Sequence, residues 1–116
     1  CDYLVVSCMD FRIQEHIRSW AEQQLGGKQY DYVSFAGGTK DLDAILSQVD
    51  IAANLHSIKH VYLIHHEDCG AYGDLGSLEK HTADLQKAKQ FILDKHPDLT
   101  VVTLYLKLNG EISPTY

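Results

Sequence analysis

Short, continuously apolar runs alternate along this chain with longer stretches in which apolar residues recur every three or four positions. Tyr3-Leu4-Val5-Val6 and Val61-Tyr62-Leu63-Ile64 are too short for helices and too uniformly apolar for half-exposed strands. They therefore predict strands buried on both faces of a parallel sheet, over residues 3–6 and 60–65. Residues 30–35 and 99–106 alternate by twos and predict two further strands. Between them, Ile13, Ile17, Trp20, Ala21 and Leu25 predict a helix over residues 14–25, ended by Gly26-Gly27. Leu42, Ile45, Leu46, Val49, Ile51, Ala52, Ala53 and Leu55 predict a second over residues 41–55, capped by Thr39 or Asp41, and its extra apolar positions suggest burial on more than one side. A third, over residues 78–96, is stopped by Pro97. Asn109-Gly110 is a hairpin signal that allows residues 111–113 to return as a short antiparallel edge strand at the C-terminus.

Strands that alternate with helices imply right-handed crossovers, hence an α/β fold of three layers: a four-stranded parallel sheet with helices on both faces. The strand order expected is 2-1-3-4. In such sheets ligands bind beyond the carboxyl ends of the strands, where the strand order reverses. Here that point lies between the first and third strands.

Composition narrows the class. A chain of 116 residues fits one domain over residues 1–116, and its 45% hydrophobic and 22% charged content is ordinary for a soluble globular protein. A net charge of −6 without a basic block argues against nucleic acid as a partner. No apolar run approaches the roughly 20 residues that span a bilayer, so no membrane role is expected. Three cysteines are an odd number, and two of them sit at strand ends beside acidic, basic and imidazole groups. That favours metal-binding thiols in a reducing compartment, the cytoplasm by default, over a disulfide framework.

Both candidate chemical clusters begin where a buried strand stops. After Val6 comes Ser7-Cys8-Met9-Asp10-Phe11-Arg12. If the backbone stays extended, Cys8, Asp10 and Arg12 share one side and Met9 and Phe11 the other. After Ile64 comes His65-His66-Glu67-Asp68-Cys69-Gly70, in which His66 and Cys69 can reach one ion from the same side. Cys8, His66 and Cys69 make a Cys₂His set, which zinc accepts in catalytic sites that keep a fourth position for water. His65 should face away from His66, because successive strand residues point oppositely. Gly37-Gly38-Thr39-Lys40 lacks the phosphate-loop spacing and Gly70-Ala71-Tyr72-Gly73 the dinucleotide fingerprint, so both are expected to be turns that shape the site. His16, Tyr72 and His81 are candidate proton relays, but packing or surface roles are the stronger expectation.

At these residues the sequence resembles the β-class carbonic anhydrases. Cys8-Met9-Asp10-Phe11-Arg12 matches the family's C-x-D-x-R, His66-Glu67-Asp68-Cys69-Gly70 its H-x-x-C-G, and Ala36-Gly37-Gly38 its Ala-Gly loop after the second strand. The resemblance implies Zn²⁺ on Cys8, His66 and Cys69, with Asp10 and Arg12 as a catalytic dyad and the Gly70 amide beside the substrate. It implies reversible hydration of carbon dioxide to bicarbonate by a hydroxide generated at the zinc, in a homodimer or multiple of dimers whose partner chain completes the pocket. It also implies a closed form in which Asp10, released from Arg12, takes the fourth zinc position itself.

Three departures accompany the match. The chain is expected to lack the family's N-terminal helical arm, Ser34-Phe35 replaces the usual Arg-Asn before the Ala-Gly loop, and no counterpart of the family's pocket glutamine is expected upstream of Cys8. Two alternatives stay open: hydrolysis of carbonyl sulfide or carbon disulfide on the same zinc centre, and a non-catalytic zinc-binding module.

Overall fold

The structure is a computed structural model that describes residues 1–115. The first strand, β1 (Tyr3–Ser7), is followed by a 3₁₀ turn (Phe11–Ile13), α1 (Gln14–Leu25), β2 (Asp31–Ser34), α2 (Leu42–His56) and β3 (His60–His66). A second 3₁₀ turn (Gly73–Leu75), α3 (Leu78–Lys95), β4 (Thr100–Leu106) and β5 (Ile112–Pro114) complete the order. Among the described residues these strands form one five-stranded sheet, β2-β1-β3-β4-β5. The first four are parallel and β5 runs antiparallel to β4. The expected 2-1-3-4 order and antiparallel edge strand are both present.

The apolar periodicities fold as their spacing requires. On one face Leu4, Val6, Val61, Leu63 and Val101 pack against Ile45, Val49 and Ala52 of α2 and Leu85, Ala88 and Ile92 of α3. Helix α2 is buried along this one side only, since its further apolar positions Ile51 and Leu55 face solvent. On the other, Val5, Ile64 and Leu104 pack against Ile17, Ala21 and Leu25 of α1. Burying each such Leu or Ile side chain contributes about 1.5–3 kcal/mol. Helix α1 covers its face alone. Strand β2 is shorter than its alternation predicts, because the Phe35 N–H still bonds the Ser7 carbonyl at 2.9 Å but the chain turns at Ala36. Asp41, not Thr39, caps α2, its Oδ1 accepting from the Ala44 N–H at 3.3 Å.

Thr39 is instead spent on His65. In the turn after β2, Gly37 and Gly38 adopt left-handed φ of 79° and 65°, which aims the Thr39 N–H at His65 Nε2, 3.1 Å away. Since Nε2 then accepts, His65 Nδ1 carries the proton and donates to His81 Nδ1 at 2.8 Å. Burial, and then His81, hold His65 down at about 3, so it stays neutral. His65 thus faces α3 and the Thr39 turn, away from His66, as strand alternation requires.

Two predictions follow from this packing. A Cβ at Gly38 would lie 2.8 Å from His65 Cδ2, on a ring held at both nitrogens, and would also carry the left-handed φ. Gly38→Ala should therefore destabilise the fold by roughly 1–3 kcal/mol in urea denaturation. Asp50 on α2 accepts from Lys95 Nζ and His96 Nε2 at 2.6 Å each, tying α2 to the end of α3, and Lys95 first and then His96 lower its pKa. A depressed carboxylate stabilises the fold above its unfolded value and loses that contribution as pH falls through its folded value. Asp50→Asn should lower the melting temperature at pH 7, by an amount equivalent to under about 1 kcal/mol, and the gap to wild type should close below about pH 4.

Candidate metal centre

The two chemical clusters meet because β1 and β3 are neighbours, with Val6 opposite Leu63 and both chains running the same way. Helices α1 and α3, which follow β1 and β3, lie on opposite faces of the sheet, so no crossover covers the carboxyl ends of these two strands. Cys8 follows β1, His66 ends β3, and the chain turns at once through Asp68 to deliver Cys69. Asp68 takes a left-handed φ of 56° in that turn.

One ligand atom from each of Cys8, His66 and Cys69 lies within 4.8 Å of the others, and all three residues are buried. The two sulfurs are 3.8 Å apart and both thiols are free, far beyond the roughly 2.05 Å of a disulfide. The His66 Nδ1–H donates to the Glu67 carbonyl at 2.8 Å, leaving Nε2 with its lone pair in the cluster. That Nε2 is fully buried and has no hydrogen-bond partner among the described residues. An unpartnered buried acceptor costs about 1–3 kcal/mol, and two soft sulfurs beside it complete a donor set for a metal ion. The residues fit such an ion.

Electrostatics inside the cluster is uneven. Burial alone would push the Cys8 thiol up, but His66 beside it and the backbone N–H groups of Gly37 and Asp10 bring it down to about 6. Burial pushes Cys69 up, and a negative Cys8 adds to that. Against the downward pull of burial, Cys8 and the Glu67 carbonyl raise His66.

Asp10 and Arg12 come together, though not by the extended backbone that a period of two assumes. The chain turns at Asp10, whose Oδ1 accepts from the Arg12 N–H at 2.9 Å and opens the 3₁₀ turn. The guanidinium then folds back: Nε lies 3.1 Å from both carboxylate oxygens and Nη2 2.7 Å from Oδ2. Arg12 holds the Asp10 carboxyl down at about 2. Its other donors reach Asp68, Nη1 to Oδ2 at 3.1 Å and Nη2 to the carbonyl at 2.9 Å. Asp10 Oδ2 stands 3.9 Å from His66 Nε2, at the edge of the cluster but tethered away from it. In front lies an open cleft of about 710 Å³, lined by Cys8, Asp10 and Arg12 together with Met9, Phe11, Ala36, Gly70 and Ala71.

Gln14 and Tyr32 have no sequence signal as site residues, yet both shape it. Gln14 Nε2 donates to the carbonyls of Cys8 and Asp10 at 3.0 and 2.8 Å, pinning the turn between them, and Tyr32 OH holds the Gln14 amide oxygen at 2.8 Å. The three candidate relays lie elsewhere in other duties. Tyr72 is buried and donates to Asp84 Oδ2 at 2.6 Å, His81 is buried against Tyr72 and His65, and His16 Nε2 donates to the Leu108 carbonyl at 3.2 Å.

Known proteins resemble this chain over most of its length. A family model described as "Putative carbonic anhydrase" matches residues 1–115. An "Uncharacterized protein" of Rickettsia bellii is 30% identical over 132 aligned residues, covering 97% of this chain and 80% of that protein. Among solved structures, a carbonic anhydrase from Streptococcus mutans superposes with a TM-score of 0.71 at 16% identity, covering 98% of this chain and 81% of that one. A carbonic anhydrase from Glaciozyma antarctica gives 0.69 at 19% identity, covering 97% and 80%. A β-class enzyme from Aspergillus fumigatus gives 0.57 at 17%, covering 97% and 74%. Matched along its described length by the family model and sharing the fold of these enzymes, the chain belongs to the carbonic anhydrase family and has the β-class architecture.

Proposed function

We propose that this chain, as one domain, is a zinc-dependent carbonic anhydrase that interconverts carbon dioxide and bicarbonate, with Cys8, His66 and Cys69 as the metal ligands. The observation that carries the reading is the buried, unpartnered His66 Nε2 converging with two thiols beside an arginine-tethered carboxylate. Zinc held there supplies Lewis acidity, bringing the pKa of water towards ~7 so that hydroxide is available as a nucleophile at neutral pH. Asp10, ionised and fixed by Arg12, accepts the hydrogen bond of the attacking species and orients its lone pair towards the cleft. The Gly70 amide donates to the substrate oxygen on which charge develops. Met9, Phe11, Ala36 and Ala71 give that cleft apolar walls suited to a small, non-polar, linear substrate.

Two apolar residues of the same cleft are exposed. Phe11 is 86% exposed and Met9 63%, and these apolar lining residues would be covered by a second copy of the chain in a homodimer. Free buried thiols suit a reducing compartment, and among the described residues no helix is long and apolar enough to cross a membrane. The cytoplasm is the compartment proposed.

Stopped-flow hydration of carbon dioxide, with metal analysis, tests the proposal. Wild type should hold zinc at this centre and turn over, and Cys8→Ser should lose both. Sulfide release from carbonyl sulfide with no hydration of carbon dioxide would reassign the substrate, and zinc without either activity would leave a binding module. Arg12→Ala removes the groups that hold Asp10 at its distance, so hydration should fall roughly 10–100-fold with zinc content unchanged. Near wild-type activity in that variant would make the Asp10–Arg12 pair a structural ion pair only.

A further inference from the structure

A second group of metal-type donors stands at the opposite end of the sheet. Cys1 precedes β1, Asp31 opens β2 opposite Leu4, and His56 is the last residue of α2. Cys1 Sγ, a carboxylate oxygen of Asp31 and a ring nitrogen of His56 all lie within 4.8 Å of one another. They share an open cleft of about 520 Å³ whose remaining walls are Gln29 and Tyr30. By strand rise this group is roughly 20 Å from Cys8. It is therefore independent of the candidate centre above.

From this placement we infer that Cys1, Asp31 and His56 form a second, solvent-accessible site for a divalent transition ion of the zinc class. One sulfur, one nitrogen and one oxygen donor is a set that zinc and cobalt(II) accept, with solvent completing four-coordination. Three features favour a cation there. Asp31 Oδ2 already holds His56 Nδ1 at 2.6 Å, so the carboxylate and imidazole are fixed before any ion arrives. His56, which lines the cleft, is the last residue of the 15-residue helix α2, so it stands at the negative end of that helix's dipole. The Cys1 thiol is exposed and donates only a long 3.7 Å bond to the Tyr3 carbonyl, so it is free to exchange its proton for a metal. Binding takes the thiolate, the carboxylate and the neutral imidazole, and the thiol proton leaves to solvent. Because all three side chains reach solvent, the ion exchanges readily, unlike one held by the buried set.

Cobalt(II) and zinc, added to the intact chain, test this. Equilibrium dialysis should show that Cys1→Ser and His56→Ala each lose one metal equivalent relative to wild type. In a Cys8→Ser, Cys69→Ser protein, Cys1 is the sole thiol of the three, and cobalt(II) should still give thiolate-to-cobalt charge-transfer absorption that a further Cys1→Ser change abolishes. The comparison reads the new site whether or not the Cys8 centre loads, since each variant is scored against its own parent. Equal metal content in wild type, Cys1→Ser and His56→Ala, all of them folded by circular dichroism, would overturn the proposal. Absence of thiolate–cobalt absorption in the folded double variant would do so as well. If the double variant does not fold, the exposed single variants decide the question alone.

Discussion

Parallel pairing of β1 with β3 is the constraint on which the rest of the site depends. Two strands that run side by side in the same direction end side by side, and the crossovers after them leave on opposite faces, so their ends stay open. Cys8 and His66 meet for that reason, although they are distant in sequence. The register is as binding as the adjacency. Because side chains alternate faces with a period of two, slipping β3 by one residue would bring His65 to the sulfurs and send His66 into the face lined by α3. What resists the slip is burial: Val61 and Leu63 are packed against α2 and α3, and Ile64 against the α1 side.

The consecutive histidines show how alternation separates two chemistries. His66 has one nitrogen satisfied by a carbonyl and the other left facing two thiols. On the far face, the Thr39 N–H fixes the tautomer of His65, and His65 in turn donates to His81. Burial lowers both His65 and His81, so this second pair is kept neutral. The left-handed glycines of the turn after β2 thus serve the centre twice, by bringing the Gly37 N–H to Cys8 Sγ at 3.4 Å and by locking His65 on the other side.

Around the buried cluster, the polar groups are arranged to restrain rather than to ligate. Asp10, with Oδ2 3.9 Å from His66 Nε2, is held by a fork of hydrogen bonds from Arg12, whose other bonds are anchored on Asp68. Because Asp68 lies in the turn that delivers Cys69, Arg12 links the β1 and β3 segments as well as orienting the carboxylate. Gln14 adds a second brace through the carbonyls of Cys8 and Asp10. The cleft beyond stays apolar, and its rim keeps Phe11 and Met9 in solvent.

The sequence by itself determined the layers, the strand order and the donor set. Apolar runs of strand length, helical periodicities between them, and Cys8, His66 and Cys69 at strand ends are local patterns, and right-handed crossovers convert them into one topology. It also determined that His65 and His66 must part, since the period of two is a property of any strand. The tertiary structure alone decided the rest. The convergence of Asp10 and Arg12 comes from a turn that the extended reading of residues 8–12 does not contain, because Asp10 caps a 3₁₀ turn. Gln14 and Tyr32 acquire their place from the packing of α1 and β2 beside β1, and no spacing in the chain encodes it. Thr39, one of two candidate helix caps by sequence, donates instead to the buried imidazole of His65, while Asp41 caps the helix. Cys1, Asp31 and His56 belong to three separate segments with no shared motif, and only the closing of β2 against β1 under the end of α2 brings them within reach of one ion.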